Sequence, residues 1–356
     1  MLPLTISAQD GLISQYDYFD KKIASINLTT YYILKNGEFA YNKSYSNGYP
    51  YGAIKRLDSF EEGALSSLYI CFCVSNIDSN YLCYYFDSNK WNYEVKIISG
   101  EGARNHGLLN LTPSDFFNIR IFKPHTLEEQ CKISNFLELI YAKEKIINRK
   151  INILKKYKEG ILFKYKKEAN KNGKILKLAS ICSLISGYNF NTNDYIINGN
   201  FDIVTIRNVM DDRYIDGDYK HVNFIPKSYV KLSKGDLLIS MTGNVGRCSY
   251  VNDNNKLLNQ RLCKFECEDT NKKFIYMITK TNSFKKRMNI LAQGGAQPNL
   301  KNNDILNYIF FKIEDKLIHK NYVEAFDKTD QLLEQSKCLT KTLKRLKRIL
   351  LNQLFI

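Results

Sequence analysis

Two stretches of the chain carry aliphatic residues at the alternating four- and three-residue spacing that lines up one side of a long helix. In the first, Ile133, Leu137, Ile140, Ile147, Ile151, Leu154 and Ile161 form the seam, with Glu144 and Lys158 at the two missed positions. In the second, Leu332, Leu339, Leu343, Leu346 and Leu350 do the same, with Ser336 as the gap. A run of ~35 helical residues at 1.5 Å rise is roughly 50 Å long. Thr126-Leu-Glu-Glu129, just after Pro124, has the form of a capping box and predicts where the first helix starts. A small domain cannot cover so long a stripe, so the two seams are predicted to pack on each other. The other reading is that each helix covers its own domain.

The remaining sequence is patterned differently. It is rich in Tyr, Phe, Asn and Gly, and its apolar runs are short: residues 68–74 (Leu-Tyr-Ile-Cys-Phe-Cys-Val) and 236–240 (Asp-Leu-Leu-Ile-Ser) lie between turn signals, as strands do. These regions also repeat. Residues 110–123 and 299–312 share Asn, Leu, Asp, Asn, Phe and Lys at one offset of 189, from Asn110 to Asn299. The same offset pairs Leu154-Lys155 with Leu343-Lys344, Lys158 with Lys347 and Leu162 with Leu351. Residues 37–44 and 235–242 add a second correspondence, each with Gly, an acid and then a strand-like run. The expected fold is α+β: two mixed α/β domains in pseudo-twofold repeat, separated by two long helices that form an antiparallel coiled coil. The boundaries read as domain one over 1–125, the central helix over 126–170, domain two over 171–312 and the C-terminal helix over 313–356.

The copies are unequal. Residues 2–6 match the region around 201–206, so the 28 residues 175–202, which precede the matching point in the second copy, have no counterpart in the first. Three readings stand: domain one is shortened, its start lies upstream, or the segment is supplied from elsewhere.

Charge narrows the choice of partner. The formal net charge is +16, which suits an anionic ligand or merely solubility. Domain one holds 11 Lys and Arg against 12 Asp and Glu, whereas domain two holds 21 against 12. Domain two is therefore the stronger candidate for contact with a polyanion. None of the nine cysteines forms a CxxC pair and no His lies near them at zinc-like spacing, so reduced thiols are expected and a metal site is not. No apolar run is long enough to span a bilayer and no secretory leader opens the chain, so the expected location is the cytoplasm.

Several motifs then coincide. Residues 37–44, 48–52 (Gly-Tyr-Pro-Tyr-Gly), 101–107 (Glu-Gly-Ala-Arg-Asn-His-Gly) and 124–130 (Pro-His-Thr-Leu-Glu-Glu-Gln) resemble the specificity subunit of type I restriction–modification systems, the HsdS family. Residues 234–246, 294–300 (Gly-Gly-Ala-Gln-Pro-Asn-Leu) and 346–355 carry the resemblance through the second half. It implies two target recognition domains, each reading half of a bipartite double-stranded DNA site. It also implies a helix pair that spaces them and docks two methyltransferase (modification) subunits, with restriction motor-nuclease subunits as further partners, in a bacterial or archaeal phage-defence system. By that resemblance the chain is not an enzyme and holds no cofactor: S-adenosylmethionine belongs to the modification subunit. Consistently, the sequence has no Asn/Asp-Pro-Pro-Tyr/Phe motif, no GxxxxGK[ST] phosphate loop and no nucleophile–His–acid set. A different class of function, a coiled-coil scaffold whose globular domains bind protein, remains the alternative.

Base edges are read by bidentate Arg on guanine and by Asn or Gln on adenine, while Lys, Ser and backbone amides hold phosphates. Loop residues of these types are the candidate DNA contacts: Asn42, Lys43, Ser44, Arg56, Arg104, Asn105 and His106 in domain one. In domain two they are Arg207, Asn208, Thr242, Asn244, Arg247, Arg261, Gln293 and Gln297. For residues 104–106 the competing role is anchoring their own loop. For Arg207 and Asn208 it is an ion pair with the Asp211-Asp212 run.

Overall fold

A computed structural model describes residues 1–18, 30–99, 107–293 and 298–355. The chain divides into two compact units, one of residues 1–146 with 340–356 and the other of residues 147–339. Both long helices contribute to both units.

The first unit opens with a hairpin of β1 (Leu4–Ser7) and β2 (Gly11–Ser14), followed by the single turn α1 (Gln15–Tyr18). β3 (Tyr32–Lys35) pairs with β6 (Glu62–Leu65), while β4 (Phe39–Asn42) lies between β5 (Ala53–Arg56) and β7 (Ile70–Phe72). Helices α2 (Ser79–Asp87), α3 (Asn92–Ser99) and α4 (Pro113–Phe117) cover the latter sheet. Phe39, Tyr41, Tyr81, Tyr85 and Trp91 fill the core between them, and Trp91 donates its indole N–H to Phe86 O at 2.9 Å. Next comes α5 (Leu127–Asn172). Its start is capped as the sequence predicts: Thr126 Oγ1 accepts from Glu129 N and donates to the Glu129 carboxylate. The neighbouring Gln130 is fully buried, donating to Pro124 O and accepting from Asp78 N, and so pins the helix start to its domain.

The second unit follows the same order with one addition. β8 (Gly173–Lys177), a 3-10 turn (Leu178–Ser180) and β9 (Ser183–Ser186) come first. β10 (Phe201–Val204), β11 (Lys220–Val222), β12 (Lys231–Leu232) and β15 (Lys256–Leu258) form one sheet in the order β11-β10-β15-β12. β13 (Leu237–Ser240), β14 (Cys248–Tyr250) and β16 (Leu262–Glu266) form another with β9, in the order β14-β13-β16-β9. Helices α6 (Asp269–Thr279), α7 (Asn282–Leu291) and α8 (Asn302–Leu306) follow, then β17 (Ile309–Ile313), which pairs with β8, and finally α9 (Lys316–Leu354).

The repeat therefore holds at the level of single elements. α4 and α8 lie 189 residues apart, and Asp115 and Asp304 stand at the same capping position of each. The β5-β4-β7 sheet of one unit corresponds to β14-β13-β16 of the other. A parallel pairing recurs too, Pro3 with Ala64 and Ile203 with Leu257.

Within each unit α5 and α9 run antiparallel. In the first, Lys347 reaches Glu144 and lies over the Tyr141 ring, and Leu351 and Phe355 join Leu137 in the core. In the second, Lys158 pairs with Asp330 and Tyr165 bonds His319, while Ile161, Tyr165 and Ala169 pack among Val323 and Phe326. Glu144 and Lys158, the two breaks in the α5 seam, thus meet opposite charges on α9. Leu137, Ile140, Ile147 and Ile161 are buried, and Ile133, Ile151 and Leu154 half-buried. The α9 seam needs correction. Leu343 is buried and Leu332 and Leu350 half-buried, but Leu339 and Leu346 are 42% and 43% exposed. The buried side runs instead through Leu333, Ser336, Thr340, Leu343 and Leu351. Ser336 tolerates burial because its hydroxyl donates to Leu332 O one turn back.

Candidate nucleic-acid interface

In the second unit the turns at one end of the two sheets converge. β13 leads into residues 241–247, whose path is set by the Ser240 hydroxyl: it donates to Asn244 O at 2.6 Å and accepts from Arg247 N at 3.0 Å. Gly243 and Gly246 take positive φ within this turn, and a Cβ at Gly246 would press on Met288 at 3.0 Å. Met241 N donates to Arg261 O, Leu300 N to Met241 O and Gly243 N to Pro298 O, which ties the 241–247 turn to residues 261 and 298–300. Asn259 N donates to Val204 O, Gln260 N to Tyr188 O, and the Cβ position of Gly243 lies 3.6 Å from Ile206. Five short segments therefore form one patch. Arg207, Asn244 and Arg261 are exposed on it and Arg247 is half-buried. Gln293 is exposed at the end of α7, and Gln297 lies outside the described residues.

Two candidates have other duties. Asn208 is buried: its amide oxygen accepts from Thr205 N and Oγ1, and its Nδ2 donates to Asp216 O and Asp218 O. All of its polar capacity goes into closing the 205–218 loop, so it is withdrawn as a base contact. Thr242 pairs with Asn299, and its hydroxyl oxygen is buried without a hydrogen-bond partner among the described residues.

The ion pair considered for Arg207 does not form with its acidic neighbours, because both are engaged elsewhere. Asp211 accepts from Lys280 and Lys285, each at 2.6 Å, and Asp212 from Lys337 at 2.5 Å. Burial pushes the Asp211 carboxyl up, but the two ammonium groups more than offset it and hold it below the usual range. Burial also lowers Lys280, against the pull of Asp211. Arg213, two residues on, is buried between Asp327 (2.7 Å) and Asp330 (3.3 Å) on α9. The loop bearing Arg207 is thus bolted to α6, α7 and α9 by charge pairs. The sequence reading missed these anchors, and the adjacent Asp211-Asp212-Arg213 run was their only local trace.

The corresponding turn of the first unit is spent on structure. Asn42 Oδ1 accepts from Ser44 N, Ser44 bridges to Leu108, and Lys43 Nζ donates to Leu111 O at 3.1 Å. Arg56 is held by Asp58 and Ser79, at 2.6 and 2.8 Å. Arg104, Asn105 and His106 lie outside the described residues.

All nine cysteines are free thiols, and among the described residues no cluster of His, Cys, Asp and Glu could hold a metal ion. Among the same residues no helix is long and apolar enough to cross a membrane.

The geometry defines an α/β module that presents Arg and Asn side chains on loops braced by two sheets. Residues 170–337 match the family described as the type I restriction modification DNA specificity domain. The chain is 24% identical over 281 residues to the type I restriction enzyme MjaVIII specificity subunit of Methanocaldococcus jannaschii, a match covering 71% of this chain and 65% of that protein. The crystal structure of a type I restriction–modification S subunit from M. genitalium shares the fold, with a TM-score of 0.66 and 17% identity over 91% of this chain and 84% of that one.

Proposed function

We propose that the chain is the DNA sequence-specificity subunit of a type I restriction–modification complex, recognising a bipartite site and scaffolding the modification subunits. The observation that carries this reading is the patch of the second unit. There Arg207, Asn244 and Arg261 stand exposed on interlocked turns, the residue types and the rigidity that base reading requires. The excess of positive charge in domain two supplies the attraction to phosphate. The chain itself is non-catalytic in this proposal. Adenine methylation and S-adenosylmethionine binding reside in the modification subunits, DNA cleavage resides in motor-nuclease subunits, and the complex works in the cytoplasm.

The helix pair is the proposed seat for those partners. Besides the buried seam, α5 carries Leu139, Ile146 and Ile153 at seven-residue intervals, all exposed, and α9 carries exposed Leu339, Leu346 and Ile349. Apolar side chains in helical register on the outer faces suit a partner helix. The test is coexpression with an adenine-methylating modification subunit, followed by mapping of methylated adenines. One bipartite motif that disappears when this chain is omitted is expected; methylation with no motif dependent on the chain refutes the proposal.

A further inference from the structure

The turn that joins the two sheets of the second unit carries a side chain that no structural duty explains. Residues 259–261 connect β15 to β16, and every backbone N–H along them is spent. Asn259 N donates to Val204 O and Gln260 N to Tyr188 O, while the Asn259 side-chain oxygen accepts from Arg261 N at 3.2 Å. Leu262 N closes the turn by donating to Asn259 O. From the other side Gly187 N donates to Leu262 O and Tyr188 N to Leu258 O. Only glycine permits that approach, because a Cβ at Gly187 would stand 2.2 Å from Asn259 O and 2.6 Å from Leu258 O. The last residue of β10 and the chain just past β9 therefore grip the turn between them. Asn259, which shapes the turn, is buried. Gln260 is exposed, and its amide forms no hydrogen bond among the described residues.

The first unit shows that the turn itself needs neither of its two exposed residues. Between β6 and β7, Tyr69 N donates to Ser66 O and Leu68 N to the Ser66 hydroxyl, the same two bonds that Leu262 N and Arg261 N make to Asn259. Ser66 thus takes the place of Asn259, and Ser67 and Leu68, both exposed, stand where Gln260 and Arg261 do. An unpaired carboxamide on a rigid turn has the chemistry that reads adenine: its oxygen accepts from adenine N6 and its N–H donates to N7. Asn208 has the same amide and spends all of it on its own loop, whereas Gln260 spends none. We infer that Gln260 is a base-reading residue that recognises the adenine of an A·T pair in the half-site of the second unit. This inference rests on the DNA-specificity reading proposed above, to which it adds a residue and the base that residue selects.

The test is a methylation map from cells expressing an adenine-methylating modification subunit with the natural chain, with Gln260→Ser or with Gln260→Glu. Ser is the residue the first unit carries at this point of the same turn, so that substitution leaves the fold intact. Glu keeps the length of the side chain and loses its donor. Expected is one A·T position of one half-site at which discrimination falls at least about fivefold in both variants, with every other position and the spacing unchanged. Methylation lowered equally at all sites, with no position relaxed, overturns the inference, since a merely structural residue does no more than that. Relaxation at a G·C position instead overturns the assignment to adenine. A motif unchanged in both variants overturns the inference and leaves the specificity reading standing. Absence of any motif dependent on the natural chain overturns that reading and the inference with it.

Discussion

The two halves of this chain share a sequence of elements and differ in what their polar residues are free to do. In the second unit Arg213, Lys280 and Lys285 hold the loop framework, leaving Arg207, Asn244 and Arg261 exposed on top of it. In the first, Lys43 and Arg56 are themselves the framework, bonded to Leu111 O, Asp58 and Ser79. A turn can display a cation only when something else holds the turn.

The sharpest way to break this contrast is to remove the anchor. Arg213→Ala removes the buried cation shared by Asp327 and Asp330, leaving them Lys273 and Lys158 respectively, and breaking that buried network costs on the order of 3–5 kcal/mol. Denaturant unfolding followed by far-UV circular dichroism should show that loss, while native Trp91 emission, a signal of the first unit, stays unchanged. A smaller effect is expected from the helix seam shared by both halves. Ile147 is buried, and Ile147→Asp should cost about 2–4 kcal/mol and separate the chain from the proposed modification subunit on a sizing column. A complex that elutes unchanged removes the scaffold role from the helices.

Next in size is the contrast between the units in DNA binding. Arg261→Ala or Arg207→Ala should each cost about 1–3 kcal/mol of discrimination between specific and unrelated duplexes. Lys43→Ala should leave DNA affinity unaltered and lower thermal stability by about 1 kcal/mol, through the lost bond to Leu111 O. Anisotropy titrations at several salt concentrations separate the two outcomes.

The smallest effect is a pH dependence confined to the second unit. Burial, with help from Lys312, lowers His319 to about 4 against an ordinary value near 6.5. Above pH ~6.5 the ring is neutral both folded and unfolded, so its stability contribution is complete. As pH falls from there toward 4, the unfolded chain takes the proton first and stability is lost. His319→Gln should flatten that part of the Tm profile. The contributions of Asp211 and Asp330, both held below the usual carboxylate range, persist until the pH drops below about 4.

What the sequence disclosed follows from the same physics. The repeat was legible in part because Asp115 and Asp304 hold the same job, at the third position of the capping boxes that start α4 and α8. The α5 seam was legible because branched aliphatics mark it, whereas the buried side of α9 passes through Ser336 and Thr340, polar residues whose burial composition does not announce; Ser336 is accommodated by its hydroxyl bond to Leu332 O. Asn208 looked like a base reader because an amide closing a loop and an amide awaiting adenine are the same residue type until the partners are seen. Arg213 was overlooked for the opposite reason, since an arginine among acids reads as solvated surface.

The central claim is that the turn cluster of the second unit reads bases. The most direct measurement is a methylation map from cells expressing the modification subunit with either the natural chain or a chain carrying Asn244→Ala and Arg261→Ala. The account predicts a motif that becomes degenerate at one or more positions of one half-site, with the other half-site and the spacing preserved. A methylated motif identical at every position would contradict it.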